Sequence, residues 1–317
     1  MLADFAATVQ DPRVAAIHRR FDVPARVAVR GRAGVGRAAV AAALTSAGVS
    51  VVREGPADVD VVVVAETGKP EDRAMLARRG ASLVVLNKAD LAGVGPGGPL
   101  AVAARRAADL AAAWGCVVVP MVAHLATVTL DQPLTTALQV LTEHPADMTS
   151  VDAFVAGDHP LDADVRARLL AALDRFGLAH AVLAIADGAT ADAVAARLRR
   201  VSGVDSAAAA IRAAAAPVRW RAVSAALREL RLLAVRTRDD ALDEFLAGDA
   251  VVVAVMAAAV DVVEAAGAAV DRGDDAEAHL RRAVQWRRYG CGPVDPVHAA
   301  CASAISRGSL RLLARTA

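Results

Sequence analysis

Two short runs, Val61-Val62-Val63-Val64 and Leu83-Val84-Val85-Leu86, leave this chain few ways to fold. Four successive apolar, mostly β-branched residues offer no polar face, so each run reads as a strand buried on both sides. Such strands belong to parallel sheets with helices on both faces. The pattern predicts strands over 26–30, 49–53, 60–65, 83–86 and 116–119, with helices over 38–47, from 69 onward, and over 100–114. Further along it predicts a helix over 161–176, a strand over 179–185 and a helix over 190–201. From 205 strand patterns stop, and Val223, Leu227, Leu230 and Leu233 begin a series of amphipathic helices. The expected organisation is a leading helix over 1–22, an α/β domain over 23–204 and a helical domain over 205–317.

Open α/β sheets bind ligands at the carboxyl ends of their strands, so the residues following each run carry the functional question. After Leu86 stands Asn87-Lys88-Ala89-Asp90. The tetrapeptide resembles the N-K-x-D motif by which P-loop GTPases read guanine, and the chemistry suits it. An aspartate here can accept two parallel hydrogen bonds from the N1–H and exocyclic amine of guanine, a donor pair that adenine lacks. The lysine stem can lie over the purine, and the asparagine can tie the base to a phosphate loop. Lys88 and Lys69 are the only lysines in a chain whose other basic residues are arginine, so a lysine kept here is informative. An Asx turn leading into a helix cap would use the same residue types.

The first strand runs into Gly31-Arg32-Ala33-Gly34-Val35-Gly36-Arg37-Ala38 and then a helix, the context a phosphate-binding loop requires. Gly31 and Gly36 have the G-x-x-x-x-G spacing, but Arg37 and Ala38 stand where Lys and Ser or Thr are needed. A guanidinium is planar and bulkier than an ammonium, and Ala38 has no oxygen for magnesium. Backbone N–H groups at the helix start could still hold an anion, more weakly. A tight turn in a nucleotide-free fold would also use Gly31, Gly34 and Gly36. Only residues 54–57 separate the second and third strands, leaving no room for a metal-binding switch threonine, and no D-x-x-G precedes the guanine motif. Near the fifth strand, Ala123 is the single residue that could serve as a base-contact alanine; His124 reads as a loop residue.

Bulk properties exclude several classes. The chain has 317 residues, 56% of them hydrophobic, enough for a large core, and its net charge of +1 with 3% aromatics points away from nucleic acid. Cys116, Cys291 and Cys301 are scattered and odd in number, which suits a reducing cytoplasm better than a disulfide framework. Cys291, His298 and Cys301 lack a fourth partner for a zinc site. Residues 1–10 do not read as a secretory leader. The apolar run 250–260, bounded by Asp249 and Asp261, is shorter than the roughly 20 residues a bilayer span needs.

The order of features resembles the bacterial dynamin-like GTPases of the actinobacterial isoniazid-inducible type. The carriers are the degenerate loop at 31–38, the Asn87-Lys88-Ala89-Asp90 motif, Asp174-Arg175-Phe176-Gly177-Leu178, and Arg199-Arg200-Val201-Ser202-Gly203-Val204-Asp205. The resemblance implies a P-loop GTPase-like, mainly parallel sheet with flanking helices, followed by a helical C-terminal region. It also implies GTP or GDP as ligand, action in pairs, and membrane contact that is at most peripheral, at the inner face. The phosphate-handling parts are eroded, so magnesium-assisted hydrolysis is not expected. The resulting expectation is a pseudo-GTPase with weak or absent guanine-nucleotide binding. It would work through a protein partner such as an active dynamin-like relative, with no nucleic acid involved. A slow GTPase completed in trans and a nucleotide-free scaffold are the alternatives.

Overall fold

The computed structural model describes residues 5–7, 11–21, 23–77 and 82–316. The chain forms two compact units, Arg26–Ile211 and a second made of Met1–Ala25 with Arg212–Ala317. The elements begin with α1 (Pro12–Phe21), β1 (Val27–Gly31), α2 (Arg37–Ser46), β2 (Val51–Val52), β3 (Val59–Ala65), α3 (Pro70–Ala77) and β4 (Ser82–Asn87). Then come α4 (Gly98–Trp114), β5 (Val118–Met121), α5 (Gln132–Glu143), α6 (Val151–Ala156), α7 (Ala163–Ala186), α8 (Ala191–Ser202) and α9 (Val204–Thr237). Finally α10 (Asp240–Ala247), α11 (Asp249–Ala265), α12 (Ala276–Gly290) and α13 (Pro296–Thr316) complete the helical part.

In the first unit the five strands form one parallel sheet in the order β2-β1-β3-β4-β5. The two apolar runs are its centre: Val61–Val64 lie in register with Leu83–Leu86, and all eight side chains are buried. Burying each contributes roughly 1.5–3 kcal/mol. One face, through Val62, Val64, Val84 and Leu86, meets Met75, Leu110 and Trp114. Gly68 is required there, because a Cβ would stand 2.2 Å from the Trp114 ring.

The sheet is smaller than the sequence pattern predicts. The strand expected over 49–53 shrinks to Val51–Val52, and the one over 116–119 shifts to Val118–Met121. The strand expected over 179–185 is instead the second half of α7. Leu178, Ala181 and Ala184 recur at helical spacing into a core with Leu125, Leu138 and Leu169, and alanine's helix preference goes the same way. Two helices of that core, α5 and α6, had no assignment from sequence. Arg166 is buried at the head of α7 and donates to the carbonyls of Phe154 at 2.6 Å and Gly157 at 2.8 Å, closing the end of α6.

α7 is long and apolar enough to cross a membrane by length and composition, and α10 with α11, bent by 48°, passes the same test as a pair. Within the structure α7 is a core helix, with Leu169, Leu173 and Leu178 fully buried and Asp174 breaking it midway.

The leading helix expected over 1–22 is described from Pro12 to Phe21; residues 1–4, 8–10 and Asp22 lie outside the described set. It does not form a segment of its own. Val14 and Ile17 pack with Leu230, Ala234, Leu242 and Leu246 in the helical unit. Cys301 sits in that unit's core, where burial, followed by Asp295, pushes its thiol up to about 12. Cys291 is exposed, and His298 pairs with Asp295.

Candidate functional site

The order of the sheet reverses at β1, since the chain steps to β2 on one side and returns to β3 on the other. In doubly wound sheets this switch point opens the crevice used for ligands. The carboxyl ends of β1, β3 and β4 converge here, and each leaves the sheet through unusual backbone. Gly31 has φ +150°, and a Cβ on it would lie 2.5 Å from the Val63 carbonyl oxygen. Ala65 pairs with Asn87, so Glu66 and Lys88 are the first residues past the ladder, and both hold positive φ, 61° and 58°. Thr67 N–H donates back to Ala65 O at 2.7 Å, a tight three-residue turn around Glu66. Non-glycine residues held this way cost about 1–3 kcal/mol each and gather where geometry is imposed by function.

Asn87 holds the crevice together. Its buried amide donates to Val35 O at 2.9 Å, while its Oδ1 accepts from Ala123 N at 3.1 Å. One side chain therefore joins the glycine loop, the end of β4 and the turn after β5. Gly36 caps α2 in a left-handed conformation, φ 87°, and a Cβ there would stand 2.3 Å from Asn87 Nδ2. The G-x-x-x-x-G spacing is thus matched to this asparagine. Gly34 also has positive φ, 82°, with open space around it.

The remaining sequence-predicted residues divide by exposure. Arg37 and Ala38 are exposed at the head of α2, and among the described residues Arg37 has no hydrogen bond or ion pair. Lys88 is exposed, Ala123 is buried, and Asp90 is half-buried in the short turn Ala89–Leu91. Burial pushes the Asp90 carboxyl above its usual value; Asp174 adds to this, while its own backbone N–H, His124 and Lys88 oppose it.

Four residues that shape the crevice have no site role predicted from sequence. Arg32, inside the loop, is locked on fully buried Asp72 of α3 at 2.8 and 3.1 Å, and Asp72 also accepts from Lys69 N at 3.0 Å. His124 Nε2 lies 3.3 Å from Leu173 O, at the break in α7. Asp174 makes that break with φ 56° and ψ 175°, a region almost confined to glycine. The Asp-Arg-Phe-Gly stretch therefore marks a kink beside the crevice, with Gly177 admitting Leu125, 2.5 Å from where a Cβ would be. The Arg199–Asp205 stretch is likewise a clasp: Ser202 O accepts from Val122 N at 2.8 Å, and Gly203 lets the chain pass Pro120 O. Replacing Asp174 by glycine is expected to raise stability by about 1 kcal/mol in a denaturant titration. Alanine, which keeps the strain and loses the Asp174 bond to Arg175 N, is expected to lower it.

Among the described residues no group of three or more His, Cys, Asp or Glu side chains could hold a metal ion. No family model, curated protein or solved structure matches this chain.

Proposed function

We propose that the chain is a pseudo-GTPase of the dynamin-like type, which reads guanine weakly and acts through a protein partner. The observation that carries this reading is the Asn87 clamp, which links a glycine loop at a helix start to the Lys88–Asp90 turn and to Ala123. In this arrangement Asp90 receives the guanine N1–H and amine, Lys88 covers the purine, and the loop N–H groups of 34–37 meet phosphate. Hydrolysis lacks its parts. Ala38 gives no metal ligand, only residues 47–50 connect α2 to β2, and only 53–58 connect β2 to β3. Neither link could carry a segment that closes on a γ-phosphate.

The test is titration with fluorescent GDP and GTP against ADP, with and without magnesium. Guanine-selective binding that ignores magnesium supports the reading; equal response to ADP, or none to any nucleotide, overturns it. Asp90→Asn is expected to weaken guanine binding about 100-fold, since it converts a doubly accepting carboxylate into an amide. Its effect on the empty protein has the opposite sign. A carboxyl held above its ordinary value favours the protonated fold, so stability falls as pH rises from that value through the raised one. Asp90→Asn removes this slope and is expected to melt higher than the parent at neutral pH, with the gap closing in acid. A merely structural aspartate would show a loss at neutral pH instead.

A further inference from the structure

One stretch of the helical unit is far more basic than the chain as a whole. Residues 276–316 hold seven arginines and two carboxylates, Glu277 and Asp295, in a protein of net charge +1. This stretch is the antiparallel pair α12 and α13, stitched by Ser306 Oγ to Ala283 O at 3.0 Å and by Arg282 Nε to Ser309 Oγ at 2.9 Å. Along its outer side runs a groove of about 370 Å³. Small residues, Gly290, Ala299, Ser303 and Ser306, lie along it, so another backbone can come close.

The rim has two characters. Leu310 lines the groove and is 51% exposed, while Leu280 and Val284, 49% and 42% exposed, lie outside the lining on the same stripe of α12 as Arg287. Arg287 and Arg307 face the groove from opposite helices. Among the described residues neither makes an ion pair, although Arg272, Arg281 and Arg311 of the same unit are paired. Leu280, Val284 and Arg287 follow i, i+4, i+7 on α12, and Ser303, Arg307 and Leu310 do the same on α13. Two parallel ridges with a narrow floor accept a helix rather than an extended strand.

We infer that this groove docks an acidic amphipathic helix from a protein partner. The partner's apolar stripe covers Leu280, Val284 and Leu310, and its carboxylates meet Arg287 and Arg307. A second copy of the same face is disfavoured, because a two-fold contact sets arginine against arginine. The inference deepens the partner-dependent reading above and does not depend on nucleotide.

The test uses full-length protein and a labelled peptide of about 18 residues, with leucines at i, i+3, i+4 and i+7 flanked by glutamates. A second peptide carries lysines in place of the glutamates. Saturable binding of the glutamate peptide, with the lysine peptide at least about tenfold weaker, is expected. Arg287→Glu with Arg307→Glu is expected to reverse the preference, and Ser303→Trp, which fills the floor, to block both. Equal binding of the two peptides, no binding of the glutamate peptide, or insensitivity to these variants would overturn the inference. So would binding only to phosphatidylserine vesicles, which would make the face a lipid surface. Guanine titration of the same variants is expected to be unchanged, so failure here and failure of the nucleotide reading are separate results.

Discussion

Asn87→Ala is expected to cost the α/β unit about 2–4 kcal/mol, seen as a lower midpoint in urea. The substitution strands two buried backbone groups, Val35 C=O and Ala123 N–H, and each orphaned partner costs about 1–3 kcal/mol. Gly36→Ala tests the same contact from the other side. Its Cβ would fall 2.3 Å from Asn87 Nδ2, at a φ of 87° that alanine resists. In the Asn87→Ala background that clash is gone and only the backbone penalty of about 1–2 kcal/mol remains. The two costs should therefore fall short of additivity by about 1–2 kcal/mol. Strict additivity would mean that Gly36 and Asn87 do not touch in solution.

Restoring the phosphate end is expected to give the second large effect. Arg37→Lys with Ala38→Ser returns a compact cation and a hydroxyl to the head of α2, where both parent side chains are exposed and free to change. Guanine-nucleotide affinity should rise about tenfold and become magnesium-dependent. Hydrolysis should stay at background, because the short links at 47–50 and 53–58 are untouched. Titration with and without a chelator reads the first outcome, and phosphate release reads the second. An unchanged affinity would mean that the loop does not receive phosphate at all.

The parts of this fold legible in the sequence are those that local pattern dictates. Val61–Val64 and Leu83–Leu86 could only be buried strands, and the glycines at 31, 34 and 36 announced a strand-to-helix turn. What stayed hidden depends on partners distant in sequence. Nothing near Arg32 tells that Asp72, forty positions on, will hold it. The run at 179–185 looks like a strand until its alanines are seen to line a helix packed on Leu125 and Leu138. Asp174 reads as an ordinary helical residue, and only its φ of 56° reveals a break. The candidate crevice was legible as a set of residues, but the role of Asn87 in joining them rests on geometry that no spacing contains.

The brevity of the links flanking β2 bears on what kind of signal such a domain can pass on. A switch compares two chemical states of one nucleotide, and it needs a segment long enough to feel the third phosphate. A chain connected only by residues 47–50 and 53–58 has no such segment. It would register that a guanine nucleotide is present and remain blind to which one. On the proposed reading GDP and GTP are expected to bind such a chain equally, which side-by-side titration of the two checks.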